Sequence, residues 1–82
     1  MAESVHERLE GVFREVFADP GLELTAETTA DDIDGWDSLA HINLIFRVEQ
    51  EFGVRLAGDE GASLANVGEL ERLLGERTGL PR

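Results

Sequence analysis

The residues with the most chemical potential sit together at Asp37-Ser38-Leu39-Ala40-His41, where a polar, acidic stretch runs into a long apolar one. Ser38 and His41, three apart, can approach each other on a helix, and Asp37 stands alongside. This invites a small hydrolase using serine as nucleophile and histidine as base. Such chemistry needs a base held by a third group and an oxyanion hole, usually around a Gly-x-Ser-x-Gly elbow, and the chain has no such elbow. His41 also falls on the stripe expected to be buried, as a core residue packing against Trp36. A second reading takes Asp37 as the N-cap of a helix and Ser38 as a residue of its first turn. The hydroxyl then faces solvent beside the positive end of the helix dipole, where a phosphate joined to it would meet unpaired N–H groups. Asp31, Asp32, Asp34 and Asp37 suggest a third chemistry, cation binding. The calcium-loop pattern fails, because Ile42 and Asn43 occupy the positions of its closing glutamate.

The elements that must position these residues are helical. Ser4 and Glu7 form a capping-box pattern, followed by Val5, Leu9, Val12, Phe13, Val16 and Phe17 at helical spacing; a helix is expected over about 4–18. Glu10 and Arg14 form an (i, i+4) pair in the favourable order. Asp19-Pro20-Gly21 ends the run. Residues 19–37 form a loop long for a compact domain, of the kind that is functional, disordered or tied down by its own side chains. Leu22, Leu24, Ile33 and Trp36 are the candidate tethers, and Thr25, Thr28 and Thr29 the candidates for capping a short turn.

The next helix, about 38–52, is the best signalled and closes at Gly53. His41, Leu44, Ile45, Val48 and Phe52 form one apolar stripe; Leu39, Ile42 and Phe46 form a second beside it. Together they exceed the roughly 100° stripe that a surface helix needs. Either the helix is sandwiched in the bundle or the second stripe serves a partner. Residues 53–65 read as a loop with a possible short helix near Asp59–Ala62. Asn66 and Glu69 then cap a helix over about 66–78, carrying Val67, Leu70, Leu73 and Leu74 and ending at Gly79. Gly68 and Gly75 weaken it by roughly 1 kcal/mol each. No strand pattern or repeat is present. The expectation is one all-α domain over 1–82, a small three-to-four-helix bundle with a long loop between its first and second main helices.

Composition narrows the function. A chain of 82 residues buries only about 60% of its unfolded surface and leaves no room for a substrate cleft walled on all sides. Without cysteine there is no disulfide, zinc–thiolate site or cysteine nucleophile. No apolar run is long enough to span a membrane and no secretory segment is evident, so a soluble cytoplasmic protein is expected. Eighteen acids against seven arginines and no lysine give a net charge of −11. Such a domain repels nucleic acid and anionic membrane and steers towards basic partner surfaces. Seven acids and no base lie from Asp19 to Asp37, all leading to Ser38.

Gly35-Trp36-Asp37-Ser38-Leu39, followed by Ile42, Leu44, Ile45, Val48, Glu49, Glu51, Phe52 and Gly53, resembles the Asp-Ser-Leu helix of acyl carrier proteins. The likeness extends to the first amphipathic helix, the acidic loop and the Asn66-Val67…Leu70 start of the last helix. It implies an all-α bundle of acyl-carrier-protein type. It further implies 4′-phosphopantetheine on Ser38, installed from coenzyme A by a phosphopantetheinyl transferase, with acyl or aminoacyl cargo held as a thioester. The protein would then be a non-catalytic carrier and a monomer. Its partners would be that transferase, an acyl- or aminoacyl-loading enzyme, and downstream synthase, transferase or tailoring enzymes. The resemblance assigns Leu44, Ile45, Val48 and Phe52 to the core, and Leu39, Ile42 and Phe46 to the partner-facing stripe. Asp37, Glu49 and Glu51 match acidic positions that meet basic partner residues.

Asn43, Arg47 and Gln50 stand where fatty-acid carriers tend to be acidic or small, which dilutes the recognition charge. The Gly-Trp-Asp-Ser-Leu-Ala-His wording is similar to discrete carriers of bacterial specialised metabolism, pointing to polyketide-type or related biosynthesis. Peptidyl carriers more often have Gly-Gly-x-Ser, which favours acyl over aminoacyl cargo. The alternatives are a peptidyl carrier and a non-carrier acidic module that docks through Leu39, Ile42 and Phe46.

Overall fold

The computed structural model of the protein describes residues 4–56 and 66–80. Among them are three α-helices, α1 (Val5–Val16), α2 (Ser38–Phe52) and α3 (Val67–Thr78), with a single 3-10 turn at Ala30–Asp32 and no strand. The short helix expected near Asp59–Ala62 lies outside the described residues.

Each helix starts at the cap its sequence supplies. Ser4 Oγ accepts the Glu7 N–H at 3.1 Å, Asp37 Oδ1 accepts from Ala40 at 2.9 Å, and Asn66 Oδ1 accepts from Glu69 at 3.0 Å. Gly53 and Gly79 close α2 and α3 in the left-handed region at φ 66° and 74°, a conformation that costs a residue with a Cβ roughly 1–2 kcal/mol. α1 closes at Val16, ahead of the Asp19-Pro20-Gly21 stop. Ala18 turns left-handed (φ 52°), and the N–H groups of Ala18 and Asp19 double back onto the carbonyls of Glu15 and Arg14.

The core is the sum of the three apolar faces. Val5, Leu9, Val12 and Phe13 of α1 meet Leu44, Val48 and Phe52 of α2 and Val67, Leu70 and Leu74 of α3, with Leu24, Ile33 and Leu56 entering from the loops. Fully burying one such side chain contributes about 1.5–3 kcal/mol. Helix α1 packs against both of the others. It is also tied to α3 through His6, whose Nδ1 lies 2.5 Å from Glu71 Oε2. Glu71 is 7% exposed, a buried carboxylate that the apolar periodicity did not single out. The imidazole partners it, so its burial does not leave an unmatched polar group.

The long loop is held at several points. Leu24 and Ile33 are buried, and Leu22 and Trp36 pack half-buried against the core. The Glu10–Arg14 pair (3.2 Å) does more than stabilise α1. Glu10 Oε2 accepts the Leu24 N–H at 2.9 Å, and Arg14 Nε donates to the Leu22 carbonyl at 2.8 Å. Thr28 Oγ1 accepts the Thr25 N–H, and Asp32 accepts the Thr29 N–H to frame the 3-10 turn. Beyond that turn the loop reaches α3. Val67 N–H donates to the Thr28 carbonyl at 2.8 Å and Gly68 N–H to the Ala26 carbonyl at 2.9 Å, satisfying donors at the helix start that have no intrahelical partner.

This contact explains Gly68. A Cβ there would lie 2.9 Å from the Ala26 carbonyl oxygen and 3.1 Å from the Ala26 Cβ. Helix propensity alone predicts that Gly68→Ala stabilises α3 by about 1 kcal/mol. Displacing the loop backbone reverses that sign, and we expect a net loss of about 1–3 kcal/mol, read as a lowered urea midpoint. A raised midpoint would show that the loop does not sit on α3.

Candidate functional site

Ser38 is the first residue of α2 and is exposed. The turn before it is fixed from both sides. Gly35 has φ +86°, a left-handed conformation that favours glycine, and its carbonyl accepts the Asp37 N–H at 3.0 Å. Trp36 N–H donates to the Ile33 carbonyl at 3.3 Å. The indole lies edge-on to Phe13, with ring centroids 5.2 Å apart and planes at 80°, and beside Phe17 at 6.0 Å. An edge-to-face pair contributes about 0.5–1.5 kcal/mol beyond its buried area. Trp36 therefore pins the residues before Ser38 to α1 while the serine itself stays outside.

Asp37 engages two first-turn donors. Its carboxylate takes the Ala40 N–H, and its carbonyl takes the His41 N–H at 2.8 Å. The Ser38 side chain has no hydrogen bond among the described residues, so its oxygen is open to an incoming group beside the positive end of α2. A phosphodiester at this oxygen fits the geometry: exposed hydroxyl, helix N-terminus and fixed backbone.

His41 is half-buried instead of lying in the core. Trp36 Nε1–H donates to its Nδ1 at 3.0 Å, which places the proton of the neutral ring on Nε2. The imidazole lies nearly parallel to the indole, at 14° and 6.0 Å, and braces the pre-serine turn. Asp32 is engaged with Thr29 and Asp37 with Ala40. No cluster of three potential metal ligands occurs among the described residues.

Next to Ser38 the second stripe of α2 lies open. Leu39, Ile42 and Phe46 are 69%, 65% and 58% exposed, while Leu44 and Val48 are fully buried and Phe52 nearly so. One stripe is thus buried and the other open, and α2 is not sandwiched on its second face. Glu49 lies lower on the open face, half-buried, with Oε2 accepting the Leu56 N–H at 2.7 Å. Glu51 lies off this face and pairs with Arg8 at 3.0 Å; the Arg8 guanidinium also covers the Phe52 ring. Arg47 pairs with Glu15 of α1. No helix among the described residues is long and apolar enough to cross a membrane.

The fold is a helical bundle that presents an exposed serine at a helix start, beside a bare apolar stripe. The family described as "phosphopantetheine attachment site" matches residues 7–74. Among solved structures, the solution structure of holo acyl carrier protein from Geobacter metallireducens is similar, with 41% identity and a TM-score of 0.85. The likeness covers 92% of this chain and 86% of that one. No curated protein sequence matches the chain. The chain belongs to the acyl carrier protein family, whose members are non-catalytic carriers with a 4′-phosphopantetheine group added by a phosphopantetheinyl transferase.

The cap at the site can be measured directly. Asp37→Ala removes the acceptor of the Ala40 N–H and should destabilise the domain by about 1 kcal/mol, seen as a lower urea midpoint with an unchanged denaturant slope. An unchanged midpoint would show that solvent caps α2 equally well.

Proposed function

We propose that Ser38 carries the 4′-phosphopantetheine group and that the protein is a discrete acyl carrier in polyketide-type or related secondary metabolism, acting in the cytoplasm. The observation that carries the assignment is the serine's placement: an exposed hydroxyl at the start of α2, on a turn fixed by Gly35 and Trp36, beside the exposed stripe. When bound, the group supplies a thiol that holds an acyl chain as a thioester, so a chain without cysteine can still carry thiol-linked cargo. Tethering raises the effective concentration of that cargo at each partner enzyme.

Leu39, Ile42 and Phe46 form the apolar part of the partner-recognition face, with Asp37 and Glu49 at its acidic margins. Apolar burial supplies affinity at the centre, while the charge accelerates encounter and selects basic partners. This suits a carrier that must bind a transferase, a loading enzyme and downstream enzymes in turn and leave each of them. Asn43, Arg47 and Gln50 reduce the charge of α2, which supports partners other than those of fatty-acid synthesis. The Gly-Trp-Asp-Ser-Leu wording supports acyl over aminoacyl cargo.

Incubation with coenzyme A, Mg²⁺ and a promiscuous phosphopantetheinyl transferase should add the mass of one phosphopantetheine to the parent chain and nothing to Ser38→Ala. A gain on Ser38→Ala would overturn the assignment. For the recognition face, Phe46→Glu should keep the unfolding free energy from urea titration within about 0.5 kcal/mol of the parent, as surface substitutions do, while transfer to and from partner enzymes falls. Loss of several kcal/mol would instead place Phe46 in the core. Association rates with partners should drop as salt is raised from about 0.01 M to 0.15 M, where the screening length shortens from roughly 30 Å to 8 Å. Rates independent of salt would restrict the acidity to solubility.

A further inference from the structure

At the C-terminal end of α2 a groove of about 420 Å³ lies open to solvent along one side, lined by Phe46, Glu49, Gln50, Gly53, Val54 and Arg55. It is on the serine's face of the helix. At about 100° per residue, Ser38, Ile42, Phe46, Glu49 and Gly53 fall within an arc of about 80°. At 1.5 Å per residue, Phe46 is about 12 Å and Gly53 about 22 Å along the axis from Ser38. A phosphopantetheine arm has about 14 bonds from serine oxygen to thiol; at roughly 1.2 Å of reach per bond, as in extended backbone, it spans about 16–17 Å. An arm laid along this face puts its thiol end between those two residues, in the groove.

The lining states what chemistry would be held there. Phe46 and Val54 supply apolar walls; the Gln50 amide and the Arg55 guanidinium supply donors. Arg8, Arg14 and Arg47 each have a carboxylate partner, whereas the Arg55 side chain has none among the described residues. Glu49 is the acid on the wall, and one of its oxygens is tied to the Leu56 N–H. An open groove keeps a long alkyl chain wet on one side, so it suits a short chain whose outer end is polar.

We infer, on the reading that Ser38 bears the arm, that this groove seats the thiol end and a short acyl group carrying an oxygen beyond the thioester, with Arg55 and Gln50 recognising that oxygen. The groove then orders short, oxygen-bearing cargo between enzyme encounters, and unsubstituted alkyl cargo gains nothing from Arg55.

The test compares apo protein with protein loaded from coenzyme A, malonyl-coenzyme A and butyryl-coenzyme A, by intact mass and by ¹⁵N–¹H spectra that include the arginine Nε–Hε signals. Loading with the unacylated arm should shift the Phe46, Gly53 and Val54 amides as well as those beside Ser38. Malonyl loading should further shift the Arg55 Nε–Hε signal, and butyryl loading should not. Arg55→Gln should abolish the malonyl-specific changes at Gly53 and Val54 while the mass gain stays complete. Shifts confined to the first turn of α2, or equal Arg55 responses to both acyl groups, would overturn the inference and leave the Ser38 assignment standing. Absence of any mass gain would overturn both.

Discussion

The structure depends on how the chain between α1 and α2 is anchored. This crossover must deliver Ser38 to the surface while its own backbone groups find partners, and neither helix does that alone. Glu10 and Arg14 of α1 hold residues 22–24, and the carbonyls of Ala26 and Thr28 cap α3. Trp36 then closes the crossover against Phe13 and Phe17. The same contacts satisfy the loop and satisfy the start of α3, so they couple the three helices. A domain of this size has little hydrophobic stabilisation to spare, and such dual-purpose contacts let a small core hold a long irregular segment.

The site follows from the end of that anchoring. The residues up to Trp36 are fixed, and the chain emerges at Asp37 with the first turn of α2 open to solvent. Leu39, Ile42 and Phe46 are apolar side chains left exposed in a row, a kind of patch that monomeric proteins keep small. Their place beside Ser38 is what the proposed attachment and docking roles build on, since one partner encounter would cover both. The surrounding negative charge acts at longer range, on encounter more than on the final contact.

Much of this could be read from residue types. The helix caps at Ser4, Asp37 and Asn66, the closing glycines at 53 and 79, and the tethers Leu22, Leu24, Ile33 and Trp36 are visible because each has a local signature: a short polar side chain before an apolar period, a glycine after one, or an isolated apolar residue in a polar stretch. His41 was less legible. Its helical position points inward, but the bond from the Trp36 indole holds it half-buried at the edge of the core. Glu71 left no signal, since a glutamate on a helix reads as solvent-facing until His6 of another helix is found against it. Gly68 reads as a weak point in α3, and only the approach of Ala26 shows that its missing side chain is needed.

By itself, then, the sequence determined the all-α class, the helix starts, the acidity, the lack of any thiol and the family likeness centred on Gly35–Leu39. These depend on local backbone preferences and on composition, which act over a few residues or over the whole chain without reference to its path. Tertiary structure decided where the crossover is tied and that Phe46, Val54 and Arg55 share one groove, and it buried the stripe of α2 that the family likeness, though not the periodicity, had assigned to the core. Those outcomes depend on residues far apart in the chain meeting in space, and periodicity is silent about which of two equally apolar faces another helix will cover.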